Sequence, residues 1–164
     1  MAVEIERKFL VSGDAWKIAS GSLIRQGYLS RDPERTVRVR VSGDSAWLCV
    51  KGLNHGMTRS EFEYSIPRAD AAALLAMCAG PLIEKTRHRV DYAGHCWEID
   101  EFHGQNAGLV VAEVELAQPT DMVDFPPWIG AEVTEDARYF NSNLASCPYS
   151  LWAGKTEHGG ATPG

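Results

Sequence analysis

Polar and apolar residues alternate with a period of two in eight separate segments of this 164-residue chain. The cleanest segment is Thr36–Val41, in which three valines alternate with Thr36, Arg38 and Arg40. Successive side chains of a β-strand point to opposite faces, so each segment predicts a strand with one apolar and one polar face. The eight predicted strands are Glu4–Leu10, Leu23–Ser30, Thr36–Val41, Ala46–Lys51, Thr58–Ile66, Leu82–Val90, His95–Phe102 and Leu109–Leu116.

Short connections join many of these segments, and Ser42, Gly43 and Asp44 predict one hairpin turn. Eight strands joined in this way predict a single antiparallel sheet, and a sheet of that size can close on itself. The predicted fold class is therefore α+β, mainly β. It is a closed eight-stranded antiparallel β-barrel, or tunnel, with a few helices packed outside.

Two other segments predict helices. Arg68–Ala79 is rich in Ala and Leu, carries Asp70 in its first turn and is followed by Gly80 as a stop. Glu135–Ala145 predicts a second helix, for which Thr134 is the expected N-cap.

The composition limits the partners and the compartment. A net charge of −6 and a pI near 5.3 argue against duplex nucleic acid as a partner. The four cysteines form no C-x-x-C pair, which favours a reducing cytoplasm over a disulfide framework or a zinc site. No segment reaches the roughly 20 apolar residues of a membrane helix. We therefore expect one cytoplasmic domain over residues 1–154, monomeric or homodimeric, and a disordered tail over residues 155–164.

The polar faces of the predicted strands carry pairs of same-sign charges. One interpretation places these faces outward in water, and the other points them into the barrel. The inward interpretation is favoured because like charges two residues apart repel, the few helices are apolar, and acids and bases nearly balance. Enclosed charges at this density need a metal ion, a ligand or water as partners. The pairs are Glu4/Glu6, Arg38/Arg40, Glu61/Glu63, Lys85/Arg87, Glu98/Asp100 and Glu113/Glu115.

The residue types of this charged face suit a ligand that contains both metal and phosphate. Clustered carboxylates bind hard divalent cations such as Mg²⁺ or Mn²⁺. Arg binds phosphate oxygens through its planar fork, and Lys binds them as a point charge. An inward charged face therefore predicts a water-filled tunnel for a metal–polyphosphate ligand.

The first predicted strand contains Glu4-x-Glu6-x-Lys8, which resembles the ExExK signature of the CYTH superfamily, the triphosphate tunnel metalloenzymes. The ordered charge pairs continue the match, and residues 132–141 are similar to the family's C-terminal motif. The resemblance spans about residues 2–146 and is strongest to the inorganic triphosphatase branch. It implies an eight-stranded tunnel and divalent-metal chemistry on a triphosphate. Family members include inorganic and thiamine triphosphatases, class IV adenylyl cyclases and RNA 5′-triphosphatases.

These features together predict two-metal hydrolysis of inorganic tripolyphosphate, a small-molecule substrate, to pyrophosphate and phosphate. The residues predicted to hold the phosphate chain are Lys8, Arg38, Arg40, Lys51, Lys85 and Arg87, with Arg138 capping one end. The predicted metal ligands are first Glu4, Glu6, Glu113 and Glu115, then Glu63 and Asp100, and last Glu61 and Glu98.

Four residues are candidates for the chemical step. Glu4 and Glu6 are candidates to orient the attacking water. Lys8 either orients that water or binds the terminal phosphate. Tyr28 is either a packing residue or a base, because a cationic tunnel could lower the pKa of its phenol from the ordinary value of about 10.

Two alternatives to a tripolyphosphatase stay open. One is a sibling activity on ATP, as an adenylate cyclase or nucleoside triphosphatase, or on thiamine triphosphate. It would need a pocket for the organic group, and the sequence shows no distinct base-reading motif. The other is a non-catalytic polyphosphate-binding module, against which the complete set of acidic pairs argues.

The remaining aromatic and imidazole side chains are expected to lie outside the charged site. Trp16, Trp97 and Trp128 are expected to pack in apolar regions. Because no histidine falls on the charged face at ligand spacing, loop or surface positions are expected for His55, His88, His95 and His103.

Overall fold

The structure is a computed structural model that describes residues 3–17 and 20–152. Within these ranges the chain forms nine β-strands and two α-helices. The strands are β1 Val3–Val11, β2 Ser22–Ser30, β3 Arg35–Ser42, β4 Ser45–Gly52, β5 Thr58–Ser65, β6 Ile83–Tyr92, β7 His95–Phe102, β8 Val110–Glu115 and β9 Ile129–Glu132. The helices are α1 Arg68–Ala76 and α2 Asn141–Ser146, with 3₁₀ turns at Gly104–Asn106, Ala137–Tyr139 and Tyr149–Leu151. The predicted tail at residues 155–164 lies outside the described residues.

Strands β1 to β8 form a closed antiparallel barrel in the order β1-β5-β4-β3-β2-β6-β7-β8, and β8 returns to β1. β1 closes the barrel because its start, Val3–Ile5, pairs with β5 and the following part, Glu6–Leu10, pairs with β8. All eight predicted strands are present, with ends that lie within two residues of those expected. The predicted fold class, a mainly β closed barrel, is therefore confirmed.

β9 is a strand that the sequence pattern did not predict. It pairs with the end of β1, where Glu132 lies opposite Phe9 and Ile129 opposite Val11. A Cβ at Gly130 would lie 3.2 Å from the carbonyl oxygen of Leu10, so glycine permits this close approach. A four-residue strand with an inner glycine is too short to show a period of two.

The apolar faces of the barrel strands point outward, and helices and loops cover much of this outer surface. α1 packs Ala71 and Leu75 against β3. Trp16 and Trp128, both from loops, pack in one cluster with Trp97 of β7. The three tryptophans are 2%, 7% and 0% exposed, respectively, which confirms that they are packing residues. Because the apolar faces point outward, the charged faces line the interior, and the alternative of a charged exterior is wrong.

Both helices differ from the prediction in extent. α1 ends at Ala76 rather than at Ala79, and Gly80 adopts a φ of 76° in the turn that follows. The helix predicted over Glu135–Ala145 is interrupted, because its first part forms a 3₁₀ turn and α2 begins only at Asn141. Among the described residues, no helix is both long and apolar enough to span a membrane.

Thr134 is not the N-cap of a helix, contrary to the prediction. Its hydroxyl accepts a hydrogen bond from the Lys8 backbone N–H at 3.0 Å and donates to the Glu132 carboxylate at 2.6 Å. The capping role belongs to Asp136, whose carboxylate accepts from the backbone N–H of Arg138 at 3.1 Å. A side chain that accepts a hydrogen bond from the backbone N–H two residues later favours a turn over a helix. This contact explains why the helix predicted over Glu135–Ala145 is interrupted.

The expected surface position of His88 is also wrong. This residue lies in β6 and is 7% exposed. Its ring centroid is 5.1 Å from that of Trp16, and its Nε2 lies 3.7 Å from a Glu101 oxygen. The loop that carries Trp16 therefore covers a histidine on the outer face of the barrel.

Candidate active site

The barrel encloses a cavity of about 390 Å³ whose lining includes residues from all eight barrel strands. Almost every residue of the predicted charged face contributes to this lining. Its charged and phenolic members include Glu4, Glu6, Lys8, Tyr28, Arg38, Arg40, Lys51, Glu61, Glu63, Lys85, Arg87, Glu98, Glu113 and Glu115. Of the predicted site residues, Asp100 and Arg138 are the two outside the lining.

Asp100 holds two buried cations of β6 in place. The Arg87 guanidinium donates from Nε and Nη2 to the two Asp100 oxygens at 2.7 and 2.9 Å, and Lys85 Nζ lies 2.8 Å from Oδ2. Burial alone would raise the pKa of Asp100, but Arg87 and Lys85 hold it well below its usual range. Burial lowers the pKa of Lys85 to about 7 in spite of Asp100. Both Asp100 oxygens are thus engaged by protein cations, which compete with the predicted role as a metal ligand.

Two ion pairs connect β1 to its neighbouring strands. Lys51 Nζ lies 3.0 and 3.1 Å from the two oxygens of Glu4, and Lys8 Nζ lies 3.3 Å from Glu113 Oε2. Burial would lower the pKa of Lys51, but the neighbouring Glu4 outweighs it and the pKa is raised. Burial would likewise raise the pKa of Glu113, which Lys8 and Arg87 nevertheless lower. Both shifts favour the charged forms of Lys51 and Glu113.

Glu4, Glu6 and Glu115 form a carboxylate group in the cavity, with one oxygen from each within 4.8 Å of the others. Glu6 of β1 lies directly opposite Glu115 of β8. Burial, then Glu113 and Glu4, raises the pKa of Glu6 well above its ordinary value. Burial and then Glu4 also raise the pKa of Glu115. This part of the cavity therefore concentrates negative charge that a bound cation would neutralise.

Arg38 and Arg40 concentrate positive charge in the same cavity. Arg38 Nη2 lies 3.3 Å from Glu63, and the buried Arg38 Nε has no hydrogen-bond partner among the described residues. Arg40 Nε donates to the neutral side chain of Gln26 at 2.9 Å. Burial, then Arg38 and Arg87, lowers the pKa of Arg40 to about 10. These incompletely neutralised guanidinium groups provide donors for an anion.

Tyr28 and Arg138 differ in how the structure places them. Tyr28 lines the cavity opposite Arg38 in the β2–β3 register and also packs in an apolar cluster, with 6% exposure. Arg138 is half exposed, pairs with Asp136 at 2.7 Å and lies over the Trp152 ring at 5.2 Å. The structure therefore brings Tyr28 into the cavity and leaves Arg138 outside it.

Asn141 is a cavity residue to which the sequence pattern assigned no role. It is the first residue of α2, and its Oδ1 accepts from Lys85 Nζ at 2.9 Å and from Gln26 Nε2 at 3.1 Å. The one sequence feature that could have indicated a role for Asn141 is its position at the end of the C-terminal motif, residues 132–141. The contacts of Asn141 with Gln26 and Lys85 form because the chain after β9 returns to the barrel. The alternation of residues along the strands does not predict that return.

The CYTH domain model matches residues 2–146. The chain belongs to the CYTH domain family. An inorganic triphosphatase of Acetivibrio thermocellus is 50% identical to this CYTH protein over 151 residues, which cover 91% of this chain and 97% of the relative. An inorganic triphosphatase of Nitrosomonas europaea is 36% identical over 150 residues, covering 87% and 96% of the two chains.

A solved CYTH-type structure gives the same fold. The crystal structure of the inorganic triphosphatase NE1496 matches this chain with a TM-score of 0.59 and 33% sequence identity. The match covers 86% of this chain and 96% of the other. The similarity therefore extends over the whole barrel rather than over a single motif.

Membership of the CYTH family implies a divalent metal ion. Two groups of side chains have ligand atoms close enough to share one, namely Glu4 with Glu6 and Glu115, and Cys49 with Glu61 and Glu63. In the second group Glu61 lies 3.6 Å from Lys51, and Glu63 is paired with Arg38. In the first group, Glu6 and Glu115 have no ion-pair partner among the described residues. The first group is therefore the better match to a divalent cation.

Proposed function

We propose that this chain hydrolyses inorganic tripolyphosphate to pyrophosphate and phosphate inside the barrel, with a divalent metal ion. The observation that carries this proposal is a single cavity that contains both the Arg38–Arg40 cations and the Glu4, Glu6 and Glu115 carboxylates. A metal-bound polyphosphate requires both kinds of group. The two relatives named inorganic triphosphatases, aligned over 97% and 96% of their lengths, support it.

The carboxylate group fits Mg²⁺ or Mn²⁺ better than a softer metal. Its ligand atoms are all carboxylate oxygens, with no thiol or imidazole, and hard cations prefer oxygen. When bound, such an ion would supply charge neutralisation at the phosphate oxygens and help to align the reacting groups. Glu113 and Glu63, two further predicted ligands that line the cavity, are paired with Lys8 and Arg38.

The cations of the barrel are proposed to bind and orient the phosphate chain. Arg38 and Arg40 offer the least neutralised guanidinium groups, while Lys51, Lys85 and Arg87 are fixed by ion pairs before substrate arrives. Side chains that are held in position beforehand lose little freedom when they bind, and such preorganisation favours phosphoryl transfer. The charges that are buried in the cavity, such as Lys85 and Arg87, also interact more strongly than they would in water.

The proposed chemical step is attack of water on the terminal phosphorus. The new P–O bond forms as the bond from that phosphorus to the bridging oxygen breaks, and pyrophosphate leaves with the electron pair. The proton of the water passes to a base in the cavity, for which Glu4, Glu6 and Tyr28 are the candidates. Lys8 Nζ, held by Glu113 at 3.3 Å and by the Tyr139 carbonyl at 3.3 Å, binds the terminal phosphate or orients the water.

Phosphate release from tripolyphosphate in Mg²⁺ and in Mn²⁺ tests this function. We expect turnover by the natural protein, loss of turnover in EDTA, and a decrease of about 100-fold or more in Glu6→Gln and Lys8→Ala with the fold retained. Glu84→Gln, on the exposed outer face, is the matched control. Full activity of Glu6→Gln and Lys8→Ala would contradict the assignment of the barrel cavity as the active site. A preference for ATP or thiamine triphosphate over tripolyphosphate would contradict the substrate.

The location and assembly of the protein are proposed separately from its chemistry. All four cysteines are free thiols, which supports the predicted reducing, cytoplasmic location. A monomer or a homodimer stays a prediction, and sedimentation of the purified protein would distinguish them. Limited proteolysis would test the predicted boundary between a domain over residues 1–154 and a disordered tail.

A further inference from the structure

A chain of hydrogen bonds determines which way the side chain of Asn141 points. A guanidinium can only donate, so the contact of 2.9 Å from Arg40 Nε requires the oxygen of the Gln26 amide on the Arg40 side. The Gln26 nitrogen must then donate, and its acceptor is Asn141 Oδ1 at 3.1 Å. Gln26 is fully buried, at 0% exposure, so water cannot replace either partner.

Lys85 fixes the same orientation independently. Lys85 in its ammonium form, which the Asp100 contact at 2.8 Å favours, can only donate, and its Nζ lies 2.9 Å from Asn141 Oδ1. Two donors from β2 and β6 therefore meet at one oxygen. Rotating the amide by half a turn would place its N–H groups against two other donors, which excludes the flipped arrangement.

This orientation leaves the amide nitrogen of Asn141 as a donor for the cavity. Asn141 lines the cavity, and none of the described residues accepts a hydrogen bond from its Nδ2. The adjoining residues place the Lys8 ammonium at the same end, 3.3 Å from the Tyr139 carbonyl and 5.5 Å from the Phe140 ring. A neutral donor near two ammonium groups suits a phosphate oxygen, which can only accept, and adds no repulsion between cations.

We propose that Asn141 binds substrate, donating from its side-chain amide to an oxygen of the phosphate chain at the α2 end of the cavity. This inference rests on the proposed function for the identity of its ligand. Gln26 is a positioning residue in this arrangement, because it orients Asn141 and does not itself need to reach the substrate.

Binding of tripolyphosphate in EDTA, measured by titration calorimetry, tests the proposal without turnover. Asn141→Asp keeps oxygens that accept from Gln26 and Lys85 but removes the amide donor, and Asn141→Ala removes both. Ser142→Asp adds the same charge at the next cavity residue while Asn141 is retained. Ser146→Ala, an exposed residue at the end of α2, is the neutral control.

We expect tripolyphosphate to bind about tenfold or more weakly to Asn141→Asp and Asn141→Ala, and Ser146→Ala to match the natural protein. The melting temperature of Asn141→Asp should be unchanged or higher, because its hydrogen bonds to the two donors persist. Binding of both Asn141 variants within twofold of the natural protein would overturn the proposal. An equal loss in Ser142→Asp and Asn141→Asp, together with natural affinity in Asn141→Ala, would also overturn it, because charge alone would then explain the effect.

The same measurements separate this inference from the proposed function. If the natural protein binds tripolyphosphate with the expected pattern but releases no phosphate in Mg²⁺ or Mn²⁺, the hydrolase proposal fails and the role of Asn141 stands. Where binding in EDTA is too weak to measure, the KM for phosphate release gives the same comparison. Absence of both binding and release would overturn both proposals.

Discussion

The Arg87 guanidinium and the Asp100 carboxylate form a two-point contact, 2.7 and 2.9 Å long, that is buried between β6 and β7. From this position Arg87 also reaches Glu98 at 3.2 Å and Glu113 at 3.5 Å. One cation thus joins carboxylates from two neighbouring strands. The interior charges of the barrel are a connected structural network as well as a ligand site.

Removing the Asp100 charge should destabilise the protein strongly. In Asp100→Asn, Lys85 and Arg87 lose the carboxylate that both contact, and breaking a buried pair in this way costs about 3–5 kcal/mol. Urea denaturation measures the loss of unfolding free energy. Asp124→Asn, an exposed loop position, is the control and should unfold like the natural protein. Equal midpoints for the two variants would contradict the bracing role.

Lys85 should make stability increase with pH above neutrality. Its pKa is lowered to about 7 in the folded protein, whereas an unfolded lysine keeps its proton up to about pH 10. Between these values the unfolded chain binds more protons, so raising the pH favours the folded state. The free energy of unfolding of the natural protein should rise relative to Lys85→Met by about 3 kcal/mol from pH 7 to 9.5. If the free energies of unfolding of the two proteins changed equally with pH, the proposed contribution of Lys85 would be refuted.

Glu6→Gln should have opposite effects without and with metal. In EDTA the variant should gain about 1 kcal/mol of stability, because Glu6 faces Glu115 across the β1–β8 pair. With Mg²⁺ or Mn²⁺ it should lose most of the rise in melting temperature that a bound ion gives. Thermal melts with and without metal measure both effects, with Glu84→Gln as the control. If metal raised the melting temperature of Glu6→Gln as much as that of the natural protein, Glu6 would not be a metal ligand.

Arg38→Met should weaken substrate binding. The buried Arg38 Nε has no partner among the described residues, so its donor is available to a phosphate oxygen. We expect the KM for tripolyphosphate to rise about tenfold or more. Arg25→Met is the matched control, since Arg25 pairs with Glu84 and both side chains are about half exposed. Similar KM values for the two variants would argue against an anion site at Arg38.

The barrel and the direction of its charges could be predicted because both are encoded locally. The period of two reports a strand directly, and a same-sign pair such as Lys85 and Arg87 signals opposite charges nearby in space. The structure supplies such a charge as Asp100, from the neighbouring strand. Metal binding by Asp100 stays a prediction, because spacing alone does not show which carboxylates are paired with protein cations.

The C-terminal part of the site could not be predicted because its contacts join distant parts of the chain. Thr134 and Asp136 have the residue types of a helix start, yet Thr134 is bonded to the Lys8 backbone 126 residues away. The role of Asn141 depends in the same way on Gln26 and Lys85, which lie on two different strands. His88 shows a related effect, because its burial depends on where the loop carrying Trp16 comes to rest.

The position of β1 at the closure of the barrel has a consequence for folding during synthesis. β1 is made before all of its partners, because it pairs with β5, β8 and β9, which follow it in the chain. Its Glu6–Leu10 edge therefore has no barrel partner until residue 115 has been made. The segment that carries Glu6 and Lys8 therefore lacks its β8 neighbour until late in synthesis of the barrel, and we expect the ligand cavity to close only after β8 has been made.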